Sequence, residues 1–241
     1  MSLTSEVATS QRITRELRIC ANLKHKNILP VYGYTYNFSP FIALVSPWAE
    51  NGNLMLMDII AGLQYLHANS VIHGDFTAVS SNILGSFSLP PNVLIHGDGT
   101  ACVADFGLSL MYSEVISISQ ASWTSTLNGN VRWMAPELLA LEREDESLAR
   151  PSEQSDIYSL GGITLQVLTN STPYYYLRND AAIIWAMQKS EMPSRSRYPP
   201  LPAKYWEFIE KCWSTDPRDR PSTEAAEGVI RNEYHALSRS P

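Results

Sequence analysis

A short hairpin flanked by two carboxylate-bearing tripeptides limits the folds open to this sequence more than anything else in it. Asn92-Val93-Leu94-Ile95 and Ala101-Cys102-Val103-Ala104 are apolar runs joined by His96-Gly97-Asp98-Gly99, whose Asp-Gly pair suits a tight turn. Upstream stands His73-Gly74-Asp75, and Asp105-Phe106-Gly107 follows the second strand directly. Ala135-Pro136-Glu137 and Ser155-Asp156-Ile157-Tyr158-Ser159 come later. Any one of these tripeptides alone reads as an aspartate capping a turn. Their order around a strand–turn–strand unit is the informative part.

Around this unit the chain reads as mostly helical. Ile13, Leu17, Cys20 and Leu23 recur at helical spacing over Arg12 to Lys24, with Ser10 as N-cap. Ile28 to Tyr36 and Phe41 to Val45 read as strands with a turn at Asn37 to Pro40. A breaker-rich stretch, Pro47 to Asn53, precedes a helix through Ile59, Leu63 and Leu66. Ser113 to Asn130 is polar and rich in Ser and Thr, as loops are. The acidic run Glu142 to Glu146 reads as a solvated connection. Four helices then follow, over Ile157 to Leu168, Asp180 to Lys189, Lys204 to Trp213 and Thr223 to Ile230. Proline-rich stretches at Pro193 to Pro202 and Pro217 to Pro221 separate the later ones.

Composition narrows the function classes. With 241 residues, 44% of them hydrophobic, the chain can bury a sizeable core in one or two domains. A net charge of -6 argues against a nucleic-acid groove or an anionic membrane as main partner. Cys20, Cys102 and Cys212 are widely spaced and odd in number, which disfavours a disulfide framework or a zinc site and fits a reducing cytoplasm. Met1 to Glu6 lacks the features of a signal peptide, and no apolar run approaches the ~20 residues of a membrane helix. The Asn-x-Ser/Thr strings at Asn37 and Asn170 are then chance matches.

On the three tripeptides, the hairpin and Ser155 to Ser159, the chain resembles a protein kinase of the tyrosine-kinase-like group over Arg12 to Ile230. The resemblance implies an α+β fold with a mainly helical large lobe and an incomplete small-lobe sheet. Residues 1–46 would be the remnant small lobe, 47–53 the hinge, 54–236 the large lobe and 237–241 a tail. It further implies transfer of the ATP γ-phosphate to a protein hydroxyl, with Mg2+. Asp75 would orient the hydroxyl, and Asp105 and Asn92 would hold the metal. The adenine would lie against the hinge, touching the main chain of Pro47 and Ala49, with Ser46 gating the back pocket and Leu94 beneath the ring. Glu137 would pair with Arg220, and Asp156 would tie the catalytic-loop backbone to the following helix.

The sequence departs from that family pattern in several places. Glu16 stands where the partner of a phosphate-pairing lysine belongs, yet the first lysine is Lys24 and no glycine precedes Gly33. Two strands stand where the family builds five, so the small lobe is expected to be soft. Met55 to Asp58 runs straight into the next helix without the usual intervening segment. Position 80, where the metal-binding asparagine belongs, is Ser80. Asn82 and Asn92 are the nearest candidates, and Asn92 leads into the hairpin as the family motif does, leaving Val79 to Pro91 as an insertion. Gly74 replaces the arginine that reads a phosphorylated loop, while Thr77 and Asn130 leave the Ser/Thr or Tyr class open. Displaced exon boundaries or gene decay would account for blocks missing and added. The expectation is phosphate transfer weakened by the absent glycine-rich loop and lysine, with a catalytically inactive scaffold as the alternative.

Overall fold

The computed structural model describes residues 22–29, 33–35, 43–45, 56–74, 76, 92–95, 100–104, 131–139 and 151–237. Of residues 33–35, 43–45, 94–95 and 233–237 it describes the backbone alone. The elements in chain order are β1 (Gly33–Thr35), β2 (Ala43–Val45), α1 (Leu56–Ala68), β3 (Val93–Ile95), β4 (Ala101–Val103), α2 (Glu153–Thr169), α3 (Asp180–Gln188), α4 (Ala203–Cys212) and α5 (Thr223–Leu237). Three short 3-10 turns, at Pro136–Leu138, Arg195–Arg197 and Pro217–Asp219, connect them.

β1 pairs antiparallel with β2, and β3 with β4, giving two separate ribbons. The expected hairpin forms with Val93 opposite Val103 and Ile95 opposite Ala101. The stretch expected as one strand from Ile28 divides differently. Ile28 bridges β4 in parallel, with Leu29 N–H donating to Val103 O and Val103 N–H to Asn27 O, both at 2.8 Å. An apolar run has strand character whichever neighbour it meets, so its pattern could not choose between β2 and β4. Of the helix expected over Arg12 to Lys24 only the end is described: Asn22 is helical, Leu23 and Lys24 are not.

The core begins with α1. Ile59, Ile60, Leu63 and Leu66 are wholly buried, at helical spacing, on a face that packs against β4 and α5. Each such side chain contributes about 1.5–3 kcal/mol of gross burial energy. Gly62 lets the chain after Asn22 approach this helix: a Cβ there would lie 2.6 Å from Asn27 O and 2.8 Å from Val103 Cγ2. Residues 24–27 are then locked onto α1 and the hairpin. Lys24 N–H donates to Tyr65 Oη, His25 stacks on Tyr65, Asn27 Nδ2 donates to Ala101 O and Cys102 Sγ to Lys26 O.

α2 is the central element. Ser152 caps it reciprocally with Ser155, each side-chain oxygen taking the other's main-chain N–H. The helix therefore starts four residues before the Ile157 expected from its apolar residues. Asn170, in the left-handed region at φ 53°, ends it. Every residue from Ser155 to Gln166 is buried. Ile157, Leu160 and Ile163 face a core shared with α1, Trp133, Phe208 and Ile230; Tyr158 and Leu165 face a second core with Ile183, Trp206, Ile209 and Trp213.

Candidate active site

The segment after α1 carries His73 and Gly74, the glycine with its backbone in the left-handed region at φ 74°, and a single buried carboxylate holds both. Asp156, on the first turn of α2, accepts the His73 N–H at 2.9 Å and the Gly74 N–H at 2.8 Å. His67, from the last turn of α1, donates its Nε2 proton to the same carboxylate at 2.9 Å. Asp156 is 1% exposed, so this charge is compensated by three donors rather than by water. The structural role expected of Asp156 is met.

The His73 ring then reaches across to the end of the hairpin. Its Nε2 lies 3.1 Å from Ala104 O, and because a carbonyl only accepts, Nε2 carries the proton. The ring is fully buried and rests against Phe76, centroids 4.4 Å apart. Ala104 N–H in turn donates to Asn92 O at 2.9 Å. The residue before Asp75, the residue before Asp105 and Asn92 thus join in one chain of hydrogen bonds that starts at Asp156. Asn92 is 5% exposed. Asp75, Asp105, Ser46, Pro47 and Ala49 lie outside the described residues, as do Glu16, Thr77, Ser80, Asn82 and Asn130; Leu94 is described by its backbone in β3.

The second support is the expected ion pair. Arg220 places Nη1 2.7 Å from Glu137 Oε1 and Nη2 2.8 Å from Oε2, a two-pronged match of planar groups. Its remaining donors go to Gln154 O and Ser214 O, and its side chain is fully buried. The turn at Pro136–Leu138 is thereby tied to the start of α2 and to the loop before α5.

Three contributors were not foreseen from the sequence. His67 lies in a helical pattern where a histidine reads as a polar face. Asn27 lies in what reads as a strand entry. Arg132 donates to three carbonyls, those of Pro173, Tyr174 and Leu177, at 3.0, 2.6 and 3.0 Å, and so fixes the segment before Ala135 to the α2–α3 loop. Burial lowers its pKa, with Asp180 acting in the opposite sense. The adjoining Arg-Trp pair was the available signal, since an arginine next to a core tryptophan must carry its charge to polar partners.

Asp156 seats the main chain just before Asp75, and His73 joins it to the strand end just before Asp105; with the motif order, this arrangement points to a phosphotransferase lobe. The protein kinase domain family matches residues 2–234, and this chain belongs to that family. It is 28% identical over 268 aligned positions to receptor-interacting serine/threonine-protein kinase 3 of Rattus norvegicus, covering 95% of this chain and 50% of that protein. It is 25% identical to serine/threonine-protein kinase STY17 of Arabidopsis thaliana, covering 88% of this chain and 35% of that protein. Mitogen-activated protein kinase kinase kinase A of Dictyostelium discoideum is 24% identical, over 86% of this chain and 21% of its own length. The chain therefore spans half or less of these relatives. By family it is a protein kinase domain with a mainly helical large lobe, the family generally uses ATP, and the first two of these relatives are serine/threonine-protein kinases.

Proposed function

We propose that this chain transfers the ATP γ-phosphate to Ser or Thr hydroxyls of a protein substrate in the cytoplasm, at a rate well below that of a kinase with an uninterrupted catalytic loop. The hydrogen-bond chain from Asp156 through His73 to Ala104 and Asn92 carries this reading. It fixes the neighbours of Asp75 and Asp105 relative to each other, and catalysis by positioning requires that. In this reading Asp75 orients the acceptor hydroxyl and accepts its proton. Asp105 and the Asn92 amide offer the hard oxygen donors that Mg2+ takes. The buried setting of Asn92 beside Ala104 fits that donor set. Mg2+ and ATP, when bound, supply the phosphoryl group and neutralise its charge. The main chain of Pro47 and Ala49, with Ser46 and Leu94, would hold the adenine.

The rate is expected to be low because Ser80 stands where the metal-binding asparagine belongs and Val79 to Pro91 separate Asp75 from Asn92. A longer loop closes at little cost but positions the metal-binding asparagine less precisely. That same observation favours a second reading, a scaffold that keeps the fold without the reaction. Thermal melts with Mg2+ and ATP separate the two. Nucleotide at 100 times its Kd stabilises by about 2.7 kcal/mol, and labelled phosphate should appear on a mixed Ser/Thr acceptor and vanish in Asp75→Asn. No shift at millimolar nucleotide would sink the transfer reading and leave the scaffold.

A further inference from the structure

We propose that the turn at Arg195–Arg197 is a docking surface for an acidic stretch of the protein substrate, engaged away from the reacting hydroxyl. The chain is acidic overall, yet this turn presents two exposed guanidinium groups. Neither takes part in the ion pairs found among the described residues, which join His67 to Asp156, Arg218 to Asp216, Arg220 to Glu137 and Arg231 to Glu227. Both are nonetheless held in place. Arg195 lies over the Trp206 ring at 5.8 Å and Arg197 over the Tyr176 ring at 5.4 Å. Stacking leaves the edge of each planar fork free for a carboxylate and lowers the entropy lost on binding.

The platform beneath them is rigid. Tyr176 Oη accepts the Ser194 N–H at 3.0 Å, and Tyr175 Oη donates to Arg197 O. Tyr198 is buried, accepts the Tyr174 N–H at 2.8 Å and donates to Thr172 O. Tyr175 stands beside the turn with 48% of its surface exposed, ring edge against Tyr198. Two preorganised cations next to an exposed phenol ring form the composition that binding surfaces favour, and charge complementarity selects an acidic peptide.

The inference takes the identity of the partner from the transfer reading above; the binding itself needs neither nucleotide nor a hydroxyl. The test is therefore fluorescence anisotropy of a fluorescein-labelled peptide of Glu, Asp and Ala, without ATP. The unaltered chain should bind it, added salt should weaken binding, and Arg195→Ala with Arg197→Ala should weaken it about tenfold or more. Arg231→Ala, which removes the same charge from α5, should leave it unchanged. Fusing the acidic stretch to a serine-containing acceptor should lower KM without changing kcat, and the double variant should lose that gain. Circular dichroism melts of the double variant should match the parent, since both side chains are exposed.

Absence of binding, or equal binding by the double variant, overturns the proposal. An equal loss in Arg231→Ala overturns it too, because net charge would then explain the effect. A chain with Glu142, Glu144, Asp145 and Glu146 changed to their amides tests the other occupant. Much tighter peptide binding by that variant would mean that the chain's own acidic run competes for the turn, which overturns a substrate as its occupant. Peptide binding without phosphate transfer would remove the transfer reading and leave the surface.

Discussion

Asp156 accepts from three donors on two oxygens, and two of those donors are the main-chain N–H groups just before Asp75. Removing that acceptor leaves those two main-chain donors without a partner, at about 1–3 kcal/mol each. Asp156→Ala should therefore lower stability by roughly 2–6 kcal/mol in urea titrations and abolish any phosphate transfer. Arg220 is the same situation with the sign reversed. Its loss would strand Glu137 and two carbonyls, and Arg220→Ala should cost about 3–5 kcal/mol, read by the same titration, with nucleotide affinity per folded molecule unchanged. The Cys212 thiol is wholly buried and its pKa is pushed far up by desolvation. Alkylation at pH 8 followed by peptide mass mapping should leave Cys212 unmodified until denaturant unfolds the chain.

Helix contacts and loop anchors form the next level. Gly62 sets how closely the segment after Asn22 lies on α1, so Gly62→Ala should force the two apart and cost about 1–3 kcal/mol in a denaturant melt. The loops around α3 hang on tyrosines instead. Tyr158, Tyr174 and Tyr198 all have their pKa raised by burial, well above the ordinary 10.0. The folded chain thus holds these phenols protonated where the unfolded chain has released them. Their contribution is complete below pH 10 and falls as pH rises beyond it, so alkaline unfolding should take up hydroxide cooperatively. Absorbance at the phenolate band should follow the loss of helix signal rather than precede it. At this level the hairpin and all five described helices were legible, because Asp98-Gly99 and the prolines punctuate the chain plainly. The first turn of α2 was not legible. Its capping partner at the third position is a serine rather than Glu or Gln, and its buried residues before Ile157 are Ser155 and Asp156, which periodicity reads as surface. The partner of Ile28 was also hidden, since pairing depends on where a distant strand arrives. Of the site, the roles of Asp156, Glu137 and Arg220 were readable from motif order. His67 and Arg132 were not, because their partners are main-chain or remote groups that no local spacing announces.

At the scale of the molecule, α2, like α4, contributes side chains to both cores. Every one of its residues from Ser155 to Gln166 is buried, so its amides should exchange with deuterium only when the whole large lobe opens. Hydrogen exchange by mass spectrometry should rank peptides of α2 slowest and those of α5 near its C-terminus fastest. Tryptophan fluorescence and helix signal should lose structure together across denaturant, with Trp133 in one core and Trp206 in the other. The buried character of α2 also has a consequence in time. Much of its cladding comes from α4, which is later in the chain. Synthesis runs at about 5–20 residues per second, so this axle leaves the ribosome on the order of several seconds before its sheath exists. During that interval the Tyr158 and Leu165 face is bare beside a row of buried serine, threonine and glutamine. A nascent chain halted before Ala203 would be a natural client for chaperones, and the order of the helices delays folding of this lobe until α4 has emerged.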